Sequence, residues 1–136
     1  MSPLRRRRVP EDVARALRGF GSIVPSLDRA RTALTASVPS TRLPGRPLAE
    51  SLLEFEDALA DVVAGMDAWR VPSVEDVWSR AAEGLREARR LAERVRAEAT
   101  APPGFEGMIG LIGDLLAPLD AFDEAADRLR ELRRGR

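Results

Sequence analysis

The stretch that decides the fold spans residues 47 to 70 and reads PLAESLLEFEDALADVVAGMDAWR. Its large apolar residues are spaced alternately four and three apart, at Leu48, Leu52, Phe55, Leu59, Val62, Met66 and Trp69. That spacing is the period of a single buried helix face, continued over about three heptads. The pattern predicts an amphipathic helix that packs its apolar face against other helices of the chain.

The polar face of this predicted helix carries acids and no basic residue. Four of these acids follow one another at helical spacing and are named here the acid stripe: Glu50, Glu54, Asp57 and Asp61. Like charges four residues apart on a helix repel each other by about 0.2 to 0.5 kcal/mol. We expect arginines of the first or third helix to neutralise the stripe, because residues 1–46 hold many more arginines than acids. A basic partner protein is the alternative, which makes the stripe a candidate partner-binding surface.

Helical periodicity also extends over residues 11 to 38, directly after Pro10, and proline suits the first turn of a helix. The apolar positions there are Val13, Leu17, Phe20, Val24, Leu27, Leu34 and Val38. Within this segment Pro25 lacks a backbone N–H, and its ring crowds the carbonyl group of Gly21. We therefore expect either one helix bent at Pro25 or two collinear pieces.

Two more helices are predicted after residue 70. The third begins near Ser73, and its apolar face is mostly alanine: Val74, Trp78, Ala81, Leu85, Ala88, Ala92, Val95 and Ala99. The fourth follows a break at residues 101–104 and is expected to bend at Pro118. Its apolar positions are Phe105, Met108, Ile112, Leu115, Leu119, Phe122, Leu129 and Leu132.

The opening of the fourth predicted helix is rich in glycine, with Gly104, Gly107, Gly110 and Gly113 three residues apart. Each interior glycine costs a helix about 1 kcal/mol relative to alanine. Close packing of backbones is the expected compensation. The apolar run from Gly107 to Leu119 has 13 residues and contains Asp114. This favours a buried helix over a helix at a membrane interface.

Four helical segments joined by short loops predict an all-α fold, an up-down-up-down four-helix bundle with its first and fourth helices bent at Pro25 and Pro118. Residues 10–134 form one domain in this interpretation, and residues 1–9 form a flexible basic tail that is dispensable for folding. One shared core is expected to contain Leu52, Phe55, Leu59, Val62, Trp78, Leu85, Leu115, Leu119 and Phe122.

The composition argues against most catalytic chemistry. The chain has no Cys and no His, which removes thiolate and imidazole ligands, cysteine nucleophiles and the usual general base. Carboxylates cluster at Asp120, Asp123, Glu124 and Asp127, but Arg128 and Arg130 lie beside them, so we expect no metal site and no cofactor. Lys, Tyr, Asn and Gln are also missing, which is typical of a bacterial genome rich in G and C.

The basic tail carries four consecutive arginines, Arg5, Arg6, Arg7 and Arg8. Such a run binds phosphates or an acidic partner without sequence specificity. Nucleic-acid binding is not the favoured interpretation, because the chain is neutral overall and contains no recognition module. Polar residues rather than an apolar stretch follow the arginines, and no transmembrane segment is present in the sequence, so we expect a cytoplasmic protein.

The two prolines suggest one further site. Pro25 and Pro118 are expected at similar heights on neighbouring helices, together with Phe20, Gly21 and Asp114. The missing hydrogen bonds predict a local waist in the bundle, either filled by Phe20 and Leu119 or open to a ligand or a partner side chain.

These patterns favour a non-enzymatic helical bundle that acts in protein interaction or assembly, with another protein or with a second copy of itself. The first alternative is a protein that binds an apolar ligand or a lipid surface. The second is a nucleic-acid-associated factor that uses the arginines of the tail.

Overall fold

The computed structural model describes residues 9–40, 43–98 and 103–135, and every regular element in these ranges is helical. The α-helices are α1 (Glu11–Thr35), α2 (Leu48–Gly65), α3 (Glu75–Glu98), α4 (Phe105–Leu116) and α5 (Asp120–Arg133). Short 3-10 turns occupy Met66–Trp69, Pro72–Val74 and Ala117–Leu119. The last of these turns joins α4 to α5, and the three elements together form the fourth helical segment. The predicted all-α four-helix bundle is confirmed.

Side-chain contacts show that consecutive helices run in opposite directions. The first half of α1 meets the 3-10 turn that follows α2, since Gly19 lies against the backbone of Ala68. The other end of the pair is closed by a buried hydrogen bond, 2.7 Å long, from the hydroxyl of Ser37 to that of Ser51. Arg80 of α3 pairs with Glu124 of α5, and Gly84, one turn later in α3, lies against the backbone of Pro118, which precedes Glu124, so the fourth segment runs opposite to α3.

The two internal prolines have different effects on their helices. α1 continues through Pro25 without a break, which decides for one helix over two collinear pieces. Pro25 and Gly21 are both exposed, so water can satisfy the carbonyl group that the proline leaves without a donor. Pro118 instead interrupts the fourth segment, where the chain passes through the 3-10 turn.

The second helix ends earlier than its apolar pattern predicts. The pattern continues to Trp69, whereas the α-helix stops at Gly65 and is followed by the 3-10 turn. The indole N–H of Trp78 donates a 2.8 Å hydrogen bond to the carbonyl oxygen of Met66. A side chain from α3 thus satisfies a carbonyl at the end of this helix.

The predicted core is present. Eight of its nine members are buried in one cluster, and Trp78 packs against the edge of that cluster, partly exposed. Trp69 lies at the centre, where its ring centroid is 5.0 Å from that of Phe20 and 6.3 Å from that of Phe122. Aromatic contacts of this kind add about 0.5 to 1.5 kcal/mol each beyond the burial of apolar area.

The expectation that glycines of the fourth helix allow close backbone packing is wrong. Among the described residues, a Cβ atom added at Gly104, Gly110 or Gly113 would meet no atom within 4 Å, and one at Gly107 would approach only the Cβ of Pro103. Close backbone contact occurs elsewhere, at Gly19 and Gly84. No helix in the described ranges has the length and apolar character needed to span a membrane.

Candidate interaction surfaces

The acid stripe of α2 is paired with arginines of the same chain. Arg29 of α1 lies 3.1 Å from the carboxylate of Asp57 and 3.0 Å from that of Asp61. Arg46, in the segment before α2, pairs with Glu54 and lies 3.5 Å from Glu50. The hydrogen bond to Glu54 is the main cause of a raised pKa at Arg46. The arginines that pair with the stripe were expected on the first or third helix. Arg29 lies on the first helix, as expected, whereas Arg46 lies on neither.

The sequence also predicts partner contacts in the tail. These residues lie outside the part of the chain that the structure describes: Arg5, Arg6, Arg7 and Arg8. They stay a prediction from the sequence.

The five residues of the expected waist do not line one opening. Phe20 is buried against Trp69 in the core. Gly21 and Pro25 are exposed on α1. Asp114 and Pro118 line a surface groove against α3, and neither Gly21 nor Pro25 belongs to its lining.

Three of the four clustered carboxylates of α5, all but Asp120, contact arginines rather than one another. Asp123 lies 3.3 Å from Arg31, and Glu124 lies 2.6 Å from Arg80, whose pKa is raised chiefly by this hydrogen bond. Asp127 pairs with Arg130 within its own helix. Among the described residues there is no group of three or more acids placed to hold a metal ion.

The surface that the sequence pattern did not predict is the outward face of α4. Met108, Ile112 and Leu115 are buried against the bundle. Phe105 and Ile109, one turn apart on the same side of the helix, are 58% and 46% exposed. The expectation that Phe105 belongs to the buried face is therefore wrong.

Glycines and acids complete this face. At about 100° per residue, the residues that follow Ile109 around the helix are, in order, Gly113, Glu106, Gly110 and Asp114. Because no described residue fills the space beside the two glycines, they form a shallow trough next to the apolar ridge of Phe105 and Ile109, and the two acids border it. We call these residues the α4 face: Phe105, Glu106, Ile109, Gly110, Gly113 and Asp114.

One signal in the sequence points to this surface. Residues 105–116 read FEGMIGLIGDLL and contain more large apolar residues than one buried helix face can hold. Ile109 is the clearest surplus, because it does not fit the spacing of Met108, Ile112 and Leu115. By contrast, Leu53 and Val63 on α2 are exposed singly, ten residues apart, which is ordinary for a protein surface.

Comparison of the chain with protein-family models, with curated proteins and with solved structures finds no match in any of the three.

Proposed function

We propose that this chain is a non-enzymatic protein-interaction module and that the α4 face is its contact surface. The observation that carries the proposal is the exposure of Phe105 and Ile109 beside glycines that no part of the described chain covers. Fully burying an exposed Phe or Ile side chain contributes about 1.5 to 3 kcal/mol, and a partner that covers Phe105 and Ile109 gains about half of this from each, because about half of each side chain is still exposed.

The glycines support the same proposal. Each costs α4 about 1 kcal/mol of helix stability, and packing within the described bundle does not offset this cost at Gly110 or Gly113. A partner that approaches the exposed backbone closely would give these glycines a role. The lack of His and Cys throughout the chain supports a function without catalysis.

The charge of α4 favours a protein over a lipid surface. Helices that lie in a membrane interface typically carry Lys and Arg on their polar side. α4 has no basic residue, and its exposed acids are Glu106 and Asp114. An anionic membrane or a nucleic acid would therefore be repelled by this face. The cytoplasm remains the location that we propose for this interaction.

The proposal is tested by comparing the proteins that co-purify with three forms of the full chain from the native organism. The forms are the natural chain, the double variant Phe105→Ala/Ile109→Ala, and Leu53→Ala as control. Leu53 has the same exposed fraction as Phe105, 58%, but lies on α2. We expect the double variant alone to lose a specific partner. Retention of every partner by the double variant would overturn the proposal.

A further inference from the structure

We propose that the partner of the α4 face is a cationic amphipathic helix of another protein. Its apolar side chains would pack beside Phe105 and Ile109, and its Arg or Lys side chains would pair with Glu106 and Asp114. This inference rests on the proposed function and adds the chemical class of the partner.

The acids of α4 are available for such pairing. Neither Glu106 nor Asp114 forms an ion pair with any residue that the structure describes, and the same holds for Asp120, at the start of α5. All four acids of the stripe on α2, in contrast, already contact Arg29 or Arg46. Unpaired negative charge and exposed apolar side chains thus coincide on α4.

The groove beside α4 strengthens the argument. It separates α4 from α3 and is lined by the acids Glu83, Glu87 and Asp114 together with apolar groups of Leu91, Ala117 and Pro118. No arginine belongs to this lining. Glu83 and Glu87 are already paired with Arg86 and Arg90 of α3, so the unpaired charge at this groove is that of Asp114, which lies beside apolar walls.

The geometry of α4 sets the spacing that the partner needs. Glu106 and Asp114 are eight residues apart, about 12 Å along the helix axis at 1.5 Å per residue. A helix lying along the trough at Gly110 and Gly113 matches this distance with basic residues seven or eight positions apart. The apolar residues of the partner helix then lie on the side of the trough that is nearer to Ile109.

The α4 face of a second copy does not meet this requirement. If two α4 faces met in parallel, Glu106 would oppose Glu106 and Asp114 would oppose Asp114. In an antiparallel contact centred on Gly110, Glu106 of each copy would oppose Asp114 of the other. Both arrangements bring like charges together and leave them without a cation.

The test uses a synthetic peptide of roughly 20 residues, long enough to form a helix in water. The peptide carries leucines along one face and two arginines seven residues apart at the edge of that face. A second peptide has glutamates in place of these arginines. Binding of both to the full chain is measured by calorimetry, with the folded state of every variant checked by circular dichroism.

We expect the arginine peptide to bind the natural chain at least about tenfold more tightly than the glutamate peptide, as two partly desolvated charge pairs would give. The double variant Glu106→Arg/Asp114→Arg should reverse this preference. Leu53→Ala should leave it unchanged. Gly110→Ala, which keeps every charge, should weaken the arginine peptide several-fold, because its methyl group occupies the trough.

The outcomes separate the two proposals. Equal binding of both peptides, lost in Phe105→Ala/Ile109→Ala, would overturn the cationic partner and leave the α4 face as an interaction surface. Absence of binding by either peptide would also overturn the cationic partner, while the co-purification experiment decides the proposed function independently. Binding that survives Phe105→Ala/Ile109→Ala would place the contact away from α4 and overturn the inference.

Discussion

Leu59 and Leu53 are six residues apart on α2 and have opposite surroundings. Leu59 is fully buried in the core, whereas Leu53 is 58% exposed. Leu59→Ala removes buried methyl groups and leaves a cavity, so we expect it to lower the free energy of unfolding by about 2 to 5 kcal/mol. Leu53→Ala should change it by less than about 0.5 kcal/mol. Urea denaturation measures both, and an unchanged midpoint for Leu59→Ala would remove α2 from the core.

Glycine substitutions provide a second contrast between single residues. A Cβ at Gly84 would collide with the backbone carbonyl of Pro118, and such overpacking costs about 1 to 3 kcal/mol. A Cβ at Gly110 meets nothing within 4 Å, so Gly110→Ala should raise the free energy of unfolding by up to about 1 kcal/mol through helix propensity. Opposite shifts of the two thermal midpoints are expected. A Gly110→Ala variant less stable than the natural chain would show that an atom of this chain fills the trough.

At the scale of an element, the connection between α2 and α3 is held by Arg70. Its guanidinium lies 4.0 Å from the ring centroid of Trp78 and forms two hydrogen bonds, of 2.8 and 3.2 Å, to the carboxylate of Glu75. The stacking and the bidentate pairing use the same planar group. Both groups are exposed, so the pairing contributes modestly to stability.

This pairing predicts a pH dependence. The hydrogen bond from Arg70 is the main cause of a pKa of Glu75 below its ordinary value of 4.5. The folded state therefore holds this proton less tightly than the unfolded state, and the stabilisation is present above the ordinary pKa. It is lost as the pH falls through the lowered pKa. The thermal midpoint of Glu75→Gln should thus lie below that of the natural chain at pH 7, and the difference should disappear in acid. A difference independent of pH would exclude the carboxylate as its source.

At the scale of the whole molecule, the sequence predicts the bundle because the repeated apolar spacing gives each helix one apolar face. Burying these faces together in a common core removes them from water. Residues such as Phe55 and Leu115 belong to that repeat, and both are buried. The repeat does not say how many neighbours each helix has. Gly84 and Gly110 look alike in sequence, yet one touches a backbone and the other faces open space. The α4 face therefore emerges only from the arrangement of the helices.

Stability should be distributed unevenly over this molecule. α4 buries only Met108, Ile112 and Leu115 and carries glycines on its open side, whereas α2 buries twice as many residues, in a face that extends from Ser51 to Val62. Segments with few buried contacts and weak helix propensity open at lower free energy than the rest of the fold. We therefore expect the opening free energy measured by deuterium exchange to be lower for the amides of residues 109–116 than for those of residues 54–65 in α2.

Hydrogen exchange of the natural chain, followed by NMR, measures this difference, and Gly110→Ala serves as the matched variant. Its added helix propensity should slow exchange in α4 and leave the amides of α2, which report opening of the core, nearly unchanged. A bound cationic peptide should slow the same α4 amides further, because an occupied site must be vacated before the helix opens. Equal protection of α4 and α2 in the free chain would mean that the bundle opens only as a unit. In that case the cost of the glycines is already met within the fold, and their role as a partner surface loses its energetic basis.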